Sequence, residues 1–206
     1  MKESSAKRLK KLKPKRRNEA MTMYFSKSDE ETTKTLLERI FERAEEKKID
    51  KVILPSTSGV VARMAFDLVP DSVRLIIVTH SVGFREPDED EFDPQVRKLY
   101  SGSRHSLLTV THLFRGIEVA FAKANGGVYP LQIFATALRL FGQGTKVAVE
   151  IAIMAADAGI VRTDQWVISA GGTNHGIDTA FVLKPCHSTD LSIFKFGELI
   201  GIPSSL

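Results

Sequence analysis

Four short stretches bring together residue types that can hold an anion or move a proton: Ser56-Thr57-Ser58-Gly59, Thr79 to Phe84, Thr111-His112-Leu113 and Ala170 to Thr179. The first, STSG, follows an apolar run and precedes a helical pattern. It therefore joins three hydroxyls to the free N–H groups and positive dipole end of a helix N-terminus, the parts that bind a phosphate. Ordinary N-capping would need only one such residue, so capping and phosphate binding both remain open here. The turn has neither the Gly-Lys-Ser/Thr end of a P-loop nor a G-x-G-x-x-G. GQGTK at Gly142 to Lys146 also lacks both, because it follows a helical pattern.

His80 and His112 each follow a threonine, and histidine in such a place can stack on a ring, donate to a phosphate, or act as general acid or base. Each can also be simply hydrogen-bonded. With His175 they could be drawn as a metal site, yet no H-x-x-x-H or paired-cysteine spacing supports one, so no metal is expected. Gly83 and Phe84 extend the second stretch. In the last, Gly171, Gly172 and Thr173 let backbone approach a ligand, with Asp178 and Thr179 as polar handles; a loop needing only positive φ angles would read the same way. No nucleophile elbow occurs, and Cys186 has only His187 beside it as a base.

The elements that must position these residues alternate between strand and helix. Ser28 is the expected N-cap of a first helix with Leu36, Leu37, Ile40, Phe41 and Ala44 on its inward face. Val52 to Leu54, Arg74 to Val78, Leu107 to Val110 and Trp166 to Ser169 read as strands. Val60 to Leu68, Pro94 to Tyr100, Gly116 to Ala124, Leu131 to Phe141 and Val147 to Ala158 read as helices. Thr179 to Leu183 is a fifth strand, made antiparallel by a connection too short for a helical crossover, and Phe194 to Ile200 is expected to close the chain as a helix. The class is α/β: a three-layer, open, mostly parallel sheet of about five strands with the last antiparallel. Ligands of such sheets bind at the carboxyl ends of the strands, where all four stretches fall.

The chain has 206 residues, with 43% hydrophobic and 26% charged, and no apolar run long enough to span a bilayer. Its lone cysteine and the absence of an apolar leader lead us to expect a reducing cytoplasm. The net charge of +4 is uneven: residues 1–20 carry +7, leaving −3 for the rest. KRLKKLKPKRR is expected to be a disordered basic tail over residues 1–22, with the domain at 23–206. Such a tail is either a solvated extension or a nucleic-acid contact through phosphates alone.

Taken together, LPSTSGVVARMAF, RLIIVTHSVGF and VEIAIMAADAGIVRTDQWVISAGGTNHGIDTAFVLKP resemble the stand-alone, largely archaeal proteins related to the C-terminal α/β domain of pyruvate kinase, over residues 23 to 203. The resemblance implies a phosphorylated small-molecule ligand at Ser56 to Gly59 and Gly171 to Gly176, and flavin mononucleotide (FMN) as that ligand, with Phe84, His80, His112 and Leu113 walling its ring. It implies no pyruvate kinase activity, since that chemistry belongs to a separate barrel of roughly 250 residues. Two other functions stay open: a non-catalytic sensor of another phosphorylated metabolite, and an RNA-associated protein using the tail. Whether a bound flavin turns over is open, and so is the oligomeric state, a homo-oligomer included.

Overall fold

The computed structural model describes residues 21–173 and 175–204. The expected tail thus lies outside the described residues, apart from Met21 and Thr22. In chain order the elements are β1 (Met23–Phe25), α1 (Glu30–Lys47), β2 (Lys51–Pro55), α2 (Val60–Leu68), β3 (Arg74–Val78), α3 (Pro94–Ser101), β4 (Ser106–Leu108), α4 (Gly116–Asn125), α5 (Pro130–Arg139), α6 (Gln143–Asp157), β5 (Val167–Gly171), β6 (Thr179–Lys184), a 3-10 turn (Leu191–Ile193) and β7 (Lys195–Pro203).

The seven strands among the described residues form one sheet in the order β1-β7-β6-β5-β2-β3-β4. The pairs β2–β3, β2–β5, β3–β4 and β1–β7 are parallel, whereas β6 is antiparallel to both β5 and β7. Six strands therefore point one way and β6 alone runs against them. The antiparallel fifth strand read from the sequence is this β6.

Continuous apolar strands such as Val52-Ile53-Leu54 and Leu75-Ile76-Ile77 are wholly buried because helices cover both faces. On one face lie α1, α2 and α3, with Leu36, Leu37, Ile40, Ala62, Ala65, Val96 and Tyr100 against the sheet. On the other lies α6, through Ala148, Ile151, Ala152 and Ala155. Burying each such Leu or Ile contributes about 1.5–3 kcal/mol, which outweighs differences in helix propensity of up to ~0.7 kcal/mol per residue. Outside α6, α5 and Phe114 make a smaller cluster around Ile153 and Cys186.

Three local readings are corrected. Asp29, not Ser28, caps α1, accepting the Thr32 N–H at 2.9 Å; its carboxylate also suits the helix dipole better than a hydroxyl. Helix α6 begins at Gln143, a turn before Val147, because Gly142 at φ 100° turns the chain directly into it. The closing segment is strand β7, not a helix. Gly197 and Gly201 sit four apart there, each costing about 1 kcal/mol in a helix. In the strand they make room instead: a Cβ on Gly197 would lie 2.6 Å from the Trp166 ring, and one on Gly201 3.0 Å from Leu36 and Phe25. Together β1 and β7 raise the sheet from about five strands to seven.

Candidate functional site

Since six strands are codirectional, the carboxyl ends of β2, β3, β4 and β5 and the N-termini of α1, α2, α3 and α6 share one edge of the sheet. Asp29 caps α1, and Asp93 caps α3 by accepting the Gln95 and Val96 N–H groups at 2.6 and 3.4 Å. Helices α2 and α6 start instead at glycines, Gly59 at φ 101° and Gly142 at φ 100°, which have no side chain of their own to cap with. In α2 the third N–H, that of Ala62, is taken by Ser56 Oγ at 3.2 Å, which leaves Val60 and Val61 as its first-turn donors toward the crevice.

Within STSG the hydroxyls divide their work. Ser56 is buried and its Oγ accepts the Ala62 N–H at 3.2 Å, so it serves the helix start. Half-buried Thr57 faces the next strand end, its Oγ1 3.3 Å from His80 Nε2. Ser58 is exposed, and its carbonyl accepts the Asp93 N–H at 3.2 Å. At Gly59 a Cβ would lie 3.3 Å from both Asp93 Cβ and Val96 Cγ2, so the positive φ and the packing together favour glycine.

The strand-end histidines do come together. His80 stacks on Phe84 with ring centroids 3.8 Å apart, and His112 lies 5.4 Å from His80 and 5.3 Å from Phe84. Over Phe84, at 4.3 Å, sits the Arg115 guanidinium. Gly83, at φ 76°, donates its N–H to Glu89 O at 2.9 Å and closes the loop that carries Phe84. Buried Thr79 donates its hydroxyl to His80 O at 2.9 Å and accepts from Thr109 at 2.7 Å. His112 Nε2 donates to Thr79 O at 3.3 Å, Thr111 is exposed, and Leu113 packs into the core beside α6.

The glycine-rich loop is tied up within itself. Asp178 Oδ2 accepts from the Thr173 N–H and hydroxyl at 3.1 and 2.8 Å, and Asp178 Oδ1 from the Thr179 hydroxyl at 2.7 Å. Asp178 and Thr179 are fully buried, and Gly171 lies against the first turn of α6. Gly172 packs on the Gly176 carbonyl, while Thr173 and His175 are exposed.

Five charged residues of this edge escaped the sequence reading. Glu91 accepts from His80 Nδ1 at 2.6 Å and pairs with Arg85 Nε at 3.0 Å. It comes from the REPDEDE loop, which reads as uniformly solvated. Glu150 and Lys146 form a buried pair on α6, with His112 Nδ1 3.6 Å from Glu150 Oε2 and the Phe114 N–H donating to Glu150 Oε1 at 2.8 Å. Burial alone would raise the Glu150 carboxyl. Nearby His112 and the Lys146 charge outweigh it and draw the group down to about 2. Their signal was present as Lys and Glu four apart in an otherwise apolar helix, where such pairs face one another. Arg115, the fifth, had no comparable signal.

At the opposite, amino edge lies a cleft of about 540 Å³ bounded by Lys47, Asp50, Gln165, Trp166 and Glu198. Glu198 is already paired there with Arg43 and Lys47, at 2.8 and 2.9 Å. Among the described residues no helix is long and apolar enough to cross a membrane.

The family model described as the pyruvate kinase alpha/beta domain matches residues 34–183. Among solved structures, the chain is similar to a crystal structure of a pyruvate kinase from Cryptosporidium parvum, with 14% identity and a TM-score of 0.39 over 73% of this chain and 22% of that one. Cryptosporidium parvum pyruvate kinase in complex with ADP also matches, with 14% identity and a TM-score of 0.31 over 66% and 19%. The chain thus spans about a fifth of the length of these kinases.

Proposed function

Because the chain belongs to the pyruvate kinase alpha/beta domain family, we propose that it binds a small phosphorylated ligand, flavin mononucleotide, in the crevice at the carboxyl edge of its sheet. The observation that carries this reading is the start of α2. The helix begins at Gly59 with the Val60 and Val61 N–H groups directed to the crevice, Thr57 and Ser58 beside it, and the aromatic group of His80, Phe84 and His112 at the neighbouring strand ends.

The donor set fits the two halves of the ligand. A phosphate dianion takes the α2 N–H groups and the helix dipole. Charge-assisted hydrogen bonds of this kind contribute roughly 1.5–3 kcal/mol each. The flat ring needs apolar, aromatic walls with a few polar groups, and Arg115 over Phe84 already marks a place where a planar group lies on that ring. When bound, the flavin supplies redox chemistry of its own; the chain's residues hold its phosphate, orient its ring and shield one side from water.

Ser58→Glu tests the phosphate seat. It puts a fixed negative charge at a helix N-terminus, a place the fold tolerates. FMN binding, followed by quenching of flavin fluorescence, is expected to be lost, while riboflavin binding and the melting temperature of the free protein change little. Undiminished FMN binding by folded Ser58→Glu protein would show that the turn is only a helix start.

A further inference from the structure

We infer that Thr57, His80 and Glu91 form a nucleophile, a general base and an orienting carboxylate that together take the acyl group of a small carboxylic ester. The inference stands apart from the flavin reading. The two share the turn, because N–H groups able to hold a phosphate can equally hold the oxyanion of a tetrahedral intermediate.

Three contacts carry it. Glu91 Oε2 lies 2.6 Å from His80 Nδ1. A carboxylate only accepts, so Nδ1 carries the proton and the Nε2 lone pair is left free. That lone pair faces the Thr57 hydroxyl at 3.3 Å, within the looser spacing seen between nucleophile and base before substrate arrives. Arg85 Nε, 3.0 Å from Glu91 Oε1, holds the carboxylate from its other side, and Phe84 stacked on the imidazole fixes the plane of the ring.

The placement matches the chemistry. Thr57 stands where a parallel strand turns into a helix, with the Val60 and Val61 N–H groups of α2 just after it, so a carbonyl oxygen near Thr57 meets backbone donors. The charged and titratable groups around His80 are Glu91, His112 and Arg85. Burial, helped by the charges of His112 and Arg85, outweighs the pull of Glu91 and holds the imidazole below its ordinary value of 6.5. His80 is therefore neutral, and a competent base, at neutral pH.

Each step balances. Thr57 Oγ1 attacks the ester carbonyl carbon as its proton passes to His80 Nε2, and the oxyanion rests on the α2 N–H groups. The carbon–oxygen bond to the alcohol then breaks, and the alcohol leaves with the proton from His80. Water, deprotonated by His80, attacks the acyl-threonine in turn, releasing the carboxylic acid and restoring the Thr57 hydroxyl. Thr57 and His80 are the catalytic residues; Glu91 is a positioning residue.

A fluorophosphonate probe on the full chain, with peptide mapping, tests this. Labelling is expected on Thr57. Its rate should fall about 10²-fold or more in His80→Gln, the range expected for loss of a general base. It should be absent in Thr57→Val and at least retained in Thr57→Ser, all with parental melting temperatures. The acid limb of the rate should have its midpoint below 6.5, because burial holds the base below its ordinary value. Glu91→Gln should lower the rate and shift that profile. No label on Thr57, or equal labelling of the parent and His80→Gln, overturns the assignment. FMN titrations run in parallel separate the two readings: binding without labelling removes the acyl-transfer reading alone, and labelling without binding removes the flavin reading alone.

Discussion

Gly171, the last residue of β5, and Gly144, in the first turn of α6, meet backbone to backbone: a Cβ on Gly171 would stand 2.0 Å from the Gly144 carbonyl oxygen and 2.9 Å from Ala148 N. From the other side, a Cβ on Gly144 would stand 2.3 Å from Thr179 Oγ1 and 2.6 Å from Asp178 Oδ1. The glycine-rich loop thus brings the N-terminus of α6 down onto the sheet edge. It acts on the site by placing a helix, and Gly171 does so at an ordinary backbone φ.

Gly171→Ala is accordingly expected to destabilise the protein by ~3 kcal/mol or more, since the atoms in the way are backbone and cannot rotate aside. Gly172→Ala meets the Gly176 carbonyl oxygen at 2.2 Å, within a short loop. It is expected to cost less, because that loop can shift without moving a helix. Urea denaturation of both variants checks the order.

The buried Lys146–Glu150 pair carries a second prediction. Glu150→Gln keeps the side chain's shape but leaves the Lys146 charge without its carboxylate, which should cost about 3–5 kcal/mol; adding Lys146→Met should recover the larger part. The pH dependence follows in sign. The folded-state pKa of Glu150 is depressed from 4.5 to about 2, so its stabilisation is complete above pH 4.5 and is lost as pH falls through about 2. At about 1.4 kcal/mol per pKa unit this is on the order of 3 kcal/mol. Chemical denaturation across that window should show a steeper acid limb for the parent than for Glu150→Gln, and equal slopes would contradict it.

Removing residues 1–20 is expected to leave both the melting temperature and FMN binding unchanged. A chain starting at Lys27 also loses β1, with its pairs Met23↔Gly201, Tyr24↔Ile202 and Phe25↔Pro203, the Thr22 hydroxyl bond to Leu199 O at 3.0 Å and the packing of Phe25. Phe25 is half-buried, so its loss costs less than the ~3–5 kcal/mol of a fully buried phenyl, and the lost strand pairing adds to it. Differential scanning calorimetry of the two truncations should separate them clearly.

Much of this protein was decided locally and is legible in its residues. Runs such as RLIIV can lie only between two helical layers, and the span of α2 follows from the glycine before it and Val69-Pro70 after it. Once the strands are parallel, their carboxyl ends must share an edge, so STSG, His80 and His112 were bound to be neighbours. Contacts across many residues were left to the tertiary structure. Locally, Gly197 and Gly201 only weaken a helix; that β7 is a strand is decided by its pairing with β6 and β1, with Trp166 filling the space over Gly197. Nor does local pattern separate Glu91, which accepts from His80, from the other acids of its loop. Periodicity reports which face of an element is apolar. Which buried charge meets which partner is settled only when elements far apart in the chain are packed together, since a low-dielectric interior makes an unpaired polar group costly and so selects its partner.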